Sequence, residues 1–174
     1  MMFVDASALI AIITEEPEGR ALAARLERAG PTITSPIAVY EAVLGIARQK
    51  QGGLKAARAD IEMLLDLARI GLVPITAEDA DRALDAFERY GKGTGHPARL
   101  NMGDCFAYAV ARSHGVPLLY KGEDFVLTDL GSQSGLTPAR AAGSDRSGSP
   151  IPAPSGSSPR RVFCAGARRT LRWC

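Results

Sequence analysis

Phe3-Val4-Asp5 is a short apolar strand stopped by an acid, and runs of the same kind recur at Thr32-Ile33-Thr34, Leu72-Val73-Pro74-Ile75 and Pro117-Leu118-Leu119-Tyr120. Stretches of helical period separate them. From about Glu18 to Ala29 the chain reads as a helix, with Pro17 before it and Gly30 after it. Ser35 is an N-cap and Pro36 a first helical residue for a helix carrying Val39, Val43, Leu44 and Ile46, closed by Gly52-Gly53. Leu54 to Ile70 is amphipathic, with Ile61, Leu64, Leu65 and Ala68 at spacings of three and four. Thr76 caps a helix from Ala77 to about Tyr90, whose first turn holds Glu78 and Asp79. A loop from Gly91 to Asn101 leads to a last helix, Gly103 to about His114. Short strands alternating with helices predict an α/β fold with a mainly parallel sheet covered on both faces.

Composition narrows the class. The chain has 174 residues, of which 46% are hydrophobic, enough for one core but not two. No apolar run reaches the roughly 18–20 residues that span a bilayer, and Asp5 interrupts the N-terminus before any signal-peptide pattern develops. A cytoplasmic location is expected. Three cysteines (Cys105, Cys164, Cys174) and two histidines (His96, His114) lack zinc spacing, so a bound metal would need oxygen ligands, as magnesium or manganese accept. Residues 1–130 contain 14 Lys plus Arg against 18 Asp plus Glu, a balance of −4. Residues 131–174 contain seven Arg and one acid, a balance of +6. The basic character therefore belongs to the tail, which is rich in Gly, Ser, Pro and Arg and expected to be disordered. That tail reads either as an RNA grip or as an incidental extension. Residues 1–130 form the expected domain.

Four acids from distant parts of the chain fall near one rim. Asp5 follows strand one, Glu41 lies in the second turn of its helix, Asp104 begins another helix, and Asp124 follows strand four. In an open α/β sheet that rim, beyond the carboxyl ends of the strands, is where ligands bind. Converging carboxylates repel one another unless a cation sits among them. Mg²⁺ keeps several waters, one of which can serve as nucleophile for phosphodiester cleavage. Taken singly, each acid also reads as a helix cap or a surface charge, and Glu123 and Asp129 compete with Asp124 for its place.

The residues at these positions carry a resemblance. Val4-Asp5-Ala6-Ser7-Ala8-Leu9, Tyr40-Glu41, Leu100-Asn101-Met102-Gly103-Asp104-Cys105-Phe106-Ala107-Tyr108 and Pro117-Leu118-Leu119-Tyr120-Lys121-Gly122-Glu123-Asp124-Phe125, followed by Thr128-Asp129-Leu130, resemble in order and spacing the motifs of PIN-domain nucleases, and in particular VapC-type toxins of bacterial toxin–antitoxin systems. The likeness covers about residues 2–130. It implies a three-layer α/β/α fold with four to five short strands, and a Mg²⁺-dependent endoribonuclease (Mn²⁺ substituting) that hydrolyses structured RNA such as tRNA or rRNA. Asp5, Asp104 and Glu41 would hold the metal. Asp124 would place water or a second metal, and Ser7 would orient Asp5 by a hydroxyl hydrogen bond. A homodimer and a cognate VapB-like antitoxin covering the acidic groove are also implied, with DNA contact only through that antitoxin. The tail departs from the family pattern.

Lys92, Arg99 and Lys121 flank the proposed site and are candidates for holding RNA phosphates. His96, in a Gly/Pro loop, reads as a solvated imidazole, Cys105 as a small core residue, and Phe106 and Tyr108 as core or dimer surface. The alternative function is a catalytically silent binding module of the same fold, engaging antitoxin or RNA without turnover. A phosphoacceptor domain would need an acid after strand three, where Thr76-Ala77 stand. An aspartyl-nucleophile phosphatase would need one at position 7, where the residue is Ser.

Overall fold

The computed structural model describes residues 1–131, and the expected tail lies outside them. Ten elements precede a short 3₁₀ turn at Asp124–Leu127: β1 (Met2–Val4), α1 (Ala6–Ile13), α2 (Gly19–Arg28), β2 (Thr32–Thr34), α3 (Pro36–Gln49), α4 (Gly53–Leu67), β3 (Ile70–Leu72), α5 (Ala77–Tyr90), α6 (Met102–Ser113) and β4 (Leu118–Leu119). The four strands lie in the order β3-β2-β1-β4, and every pairing is parallel. This is the expected α/β fold. The chain adds strands outward from β1 to β3, then returns to the other side of β1 with β4. Strand order thus reverses between β1 and β4, which opens a crevice at their carboxyl ends.

Burial follows from that topology. Phe3, Val4, Leu118 and Leu119 are fully buried, as central parallel strands must be when both faces are covered. The polar end of β2 is satisfied in place: the buried Thr34 hydroxyl donates to the Val4 carbonyl at 2.8 Å. Ser35 caps α3 as expected, accepting from the Ala38 N–H at 3.2 Å.

Three elements differ from expectation. Helix α1 has no counterpart in the sequence reading, because Ala6–Ile13 is apolar except for Ser7 and has no charged face to mark a period. Ala8, Leu9 and Ala11 have no exposure and the other residues are buried or half-buried, so the contrast between faces is weak. The third strand lies at Ile70–Leu72 instead of Leu72–Ile75. Helix α4 stops at Leu67, and Arg69 (φ 52°) turns the chain in a left-handed conformation without a glycine to announce it. The Val73 N–H still donates to the Thr34 carbonyl at 2.9 Å, but Pro74 has no N–H to carry the ladder further. Lastly, α3 ends at Gln49, and Gly52-Gly53 begin α4 rather than close α3.

The α5–α6 pair is fastened at its far end by Asp79. This buried carboxylate completes a capping box with Thr76 and accepts a short hydrogen bond from the Ser113 hydroxyl. Burial alone would raise its pKa, but the hydrogen bonds from Ser113 and Thr76, helped by Arg82, bring it below the usual carboxylate range. Asp79→Ala is expected to cost about 1–3 kcal/mol in urea unfolding near neutral pH. A depressed folded pKa gives stability that is present above the unfolded value and lost as pH falls through the folded one. The deficit should therefore shrink between about pH 6 and about pH 3; an equal deficit at both would contradict this role.

Candidate active site

Asp5 leaves β1 and caps α1. Its backbone N–H donates to the Leu119 carbonyl at 2.9 Å, which fixes it in the β1–β4 crevice. The side chain is 3% exposed and accepts from both the N–H (2.9 Å) and the hydroxyl (2.5 Å) of Ser7. The same Ser7 oxygen accepts from the Lys121 N–H at 3.0 Å, so the chain following β4 is tied to the Asp5 carboxylate through one hydroxyl. Ser7 thus stands where the sequence expectation put it, against Asp5.

Asp104 is the third residue of α6. Its Oδ2 accepts from the Asn101 N–H at 2.8 Å, while its own N–H donates to Asn101 Oδ1 at 3.1 Å. The cap and ligand readings of this acid are therefore compatible, since the capping box engages a single carboxylate oxygen. Glu41, from the second turn of α3, places its carboxylate against the α-carbon of Gly103. Any side chain at position 103 would occupy the space the Glu41 carboxylate fills. The positive end of the α6 dipole lies at this point and favours the negative charge. Sequence reasoning gives Gly103 a place in the motif and at the helix start but not this contact with Glu41.

The acids act on one another. Burial raises the Asp5 pKa against the opposing hydrogen bonds of Ser7. Burial and then the charge of Asp5 raise that of Glu41. Asp104 is pushed up to about 7, first by burial and then by the charges of Asp5, Asp124 and Glu41, against the Asn101 N–H. Asp124, exposed at the start of the 3₁₀ turn, belongs to this group through its charge on Asp104. Asp129 accepts from the Tyr108 hydroxyl at 2.9 Å and lies 3.5 Å from Arg112. Glu123 is exposed, one residue before the turn.

Of the three candidate cations, Lys121 is committed elsewhere, with its ammonium on Glu16 (2.5 Å) and Glu18 (3.5 Å). Lys92 and Arg99 are exposed in the loop between α5 and α6. His96 in that loop packs edge-on against Tyr90 and accepts from the Ala98 N–H at 3.2 Å, a structural use of the ring. Cys105 is buried, and its thiol is pushed up to about 11, by burial and then by Asp104.

Among the described residues none of the four acids forms an ion pair with Lys or Arg, and no three side chains lie close enough to enclose an ion by themselves. The donor set nonetheless fits Mg²⁺, which takes oxygen ligands, retains several waters and needs only one or two carboxylates. Unneutralised carboxylates hold each other apart, and a cation relieves both their repulsion and their raised pKa values.

The PIN domain family model matches residues 2–130. This chain belongs to the PIN-domain family. It is 42% identical over 142 residues to a VapC ribonuclease of Rhizobium meliloti, covering 75% of this chain and all of that protein. A VapC ribonuclease of Mycolicibacterium smegmatis is 40% identical over 129 residues, covering 74% of this chain and 97% of that one. These relatives place the PIN domain in the VapC branch. The fold is shared with the crystal structure of Mycobacterium tuberculosis VapC20, described as a sarcin-ricin loop cleaving toxin, at TM-score 0.58 and 21% identity over 79% of this chain and 97% of that one. A toxin–antitoxin complex from Klebsiella pneumoniae has TM-score 0.55 and 20% identity over 75% and 94% of the respective chains.

Because burial and mutual repulsion raise these pKa values, Asp5, Glu41 and Asp104 hold protons more tightly in the metal-free PIN domain than in its unfolded chain. Their contribution to stability should fall as pH rises from near 3.8 towards 7, the window in which the unfolded chain has released a proton that folded Asp104 still holds. A divalent cation competes with those protons. Mg²⁺ should therefore raise the melting temperature more at about pH 8 than at about pH 5. An equal rise at both pH values would contradict this coupling.

Proposed function

We propose that this chain is the toxin of a toxin–antitoxin pair, a Mg²⁺-dependent endoribonuclease that hydrolyses phosphodiester bonds of structured RNA, tRNA or rRNA. The observation that carries the reading is the mutually repelling set at the β1–β4 crevice, Asp5 buried, Glu41 and Asp104 half-buried and Asp124 at the exposed edge, with Asp104 raised to about 7. Mg²⁺, or Mn²⁺ in its place, would supply an acidified water and offset the charge that grows on the phosphate. Asp5 and Asp104 would be its principal ligands, and Glu41 would complete the set. Ser7 holds the Asp5 carboxylate in one orientation. Asp124, at the exposed edge, orients the attacking water or a second ion.

The partners follow from the same reading. An antitoxin segment covers the acidic groove and keeps RNA out. A second copy of the chain covers the apolar concavity of about 350 Å³ between α5 and α6, bordered by the exposed Leu84, Phe87 and Met102. Lys92 and Arg99 are free to meet phosphates, whereas Lys121 must first release Glu16. A cytoplasmic site of action is consistent with the RNA target, and no described helix is long and apolar enough to cross a membrane.

Titrating Mg²⁺ or Mn²⁺ against cleavage of a total RNA pool, with the new ends mapped, tests the proposal. Cleavage should require the cation, stop with chelator and cluster at a few positions. The silent-module alternative predicts RNA or antitoxin binding with no new ends at any metal concentration.

A further inference from the structure

A nuclease domain with a charge of −4 over residues 1–130 and an acidic centre needs its cations gathered in one place to hold a polyanion. On the α5–α6 pair, away from the apolar groove, lies a concavity of about 300 Å³ lined by Arg82, Asp85, Ala86, Arg89, Tyr108 and Arg112. Three of its six lining residues are arginines, in a domain otherwise dominated by acids. We propose that this concavity is a phosphate-binding subsite, which takes a phosphodiester group of the substrate RNA at a distance from the scissile bond.

The placement links it to the carboxylates. Asp104, Tyr108 and Arg112 stand at i, i+4 and i+8 on α6, a spacing that lines up side chains in one row along a helix. Eight residues of helix span about 12 Å, so the subsite lies about two turns beyond the acid cluster along the same element. Guanidinium groups fit it for phosphate, since each presents paired N–H donors to two oxygens.

Arg89 and Arg112 are the least committed of the three, whereas Arg82 is already tied to Glu78, Ser113 and the charge of Asp79. Arg112 meets Asp129 at 3.5 Å, with both side chains 42% exposed. Arg82 pairs with the exposed Glu78 at 2.7 Å and donates to Ser113 at 2.9 Å, which aims it along the groove between the helices. Exposed ion pairs of this type contribute little and give way to a stronger anion. Arg89 forms no ion pair among the described residues. Asp85 opposes an anion and supplies a control.

This inference rests on the endoribonuclease reading, and binding separates the two. RNA affinity is measured in chelator, without turnover, for the full chain, Arg89→Ala, the Arg89→Ala/Arg112→Ala pair and Asp85→Asn. The double variant should bind a structured RNA about tenfold more weakly and lose about one to two units of salt dependence. Asp85→Asn should bind more tightly, a gain that damage to the fold would not produce. With Mg²⁺, the double variant should raise KM on long RNA and leave kcat unchanged, while a dinucleotide too short to reach the subsite is cleaved as before. Inorganic phosphate that competes with RNA in the wild type and not in the double variant would confirm the same pocket. Unchanged affinity and salt dependence in the double variant would overturn the subsite, whatever the cleavage result. Absence of cleavage by the wild type with these binding changes intact would overturn the nuclease reading and leave the subsite standing.

Discussion

Asp5→Asn and Asp104→Asn should each lower RNA cleavage by about 10³-fold, the scale at which a preorganised electrostatic group acts in a water-poor site, while leaving the fold intact or firmer. The two halves of that expectation have one cause. Asp5 is 3% exposed and Asp104 is raised to about 7, so the charge at each position is held against burial and repulsion. Asparagine keeps the shape and an oxygen that can accept the Ser7 or Asn101 N–H, but carries no charge to bind a cation. The variants should therefore melt at or above the wild-type temperature in chelator and lose the stabilisation by Mg²⁺. Variants that melt lower and also lose activity would point to a structural role. Unchanged cleavage in both would remove these residues from the active site.

Gly103→Ala is the second large effect, and it separates site from fold in another way. A methyl group there lands on the Glu41 carboxylate, the far end of a flexible side chain. The side chain can swing aside at small cost, and alanine is favoured over glycine in a helix by about 1 kcal/mol. Stability should hardly change, or improve. Glu41, however, leaves the α6 N-terminus and the carboxylate set, and cleavage should drop by about 10–100-fold, the usual cost of disturbing a metal site's supporting geometry. Glu41→Gln should show a similar loss, and combining the two should add little, because both remove the same group. Full activity in Gly103→Ala would mean that Glu41 is not needed where the structure puts it.

The contrast between Glu41 and Gly103 shows what the chain's pattern could and could not reveal. Acids after strands and at helix starts mark a rim, because strand–helix alternation fixes which end of the sheet they share. A glycine at the second position of a helix looks like ordinary punctuation until the residue that fills its missing side chain is known. That residue is 62 positions earlier, and no local rule connects them. Helix α1 is hard to see for another reason: Ala6–Ile13 is apolar but for Ser7 and has no charged face, so its pattern hardly distinguishes inside from outside. The strand at Ile70–Leu72 was displaced by a left-handed Arg69, where a glycine would have been expected to mark the turn. The contest among Glu123, Asp124 and Asp129 also needed geometry. Three acids within seven residues are equivalent in sequence, and only geometry distinguishes Asp124, whose charge raises Asp104, from Asp129, which accepts from the Tyr108 hydroxyl. Lys121 flanks the site as its position implies, yet its ammonium is held by Glu16 and Glu18.

The most direct measurement is a crystal of the full chain soaked in Mn²⁺ and recorded at the manganese edge. The account predicts an anomalous peak in the β1–β4 crevice, about 2.1 Å from carboxylate oxygens of Asp5 and Asp104, that disappears in Asp104→Asn. A crevice without a peak at saturating Mn²⁺, or a peak bound only by acids elsewhere on the chain, would contradict it.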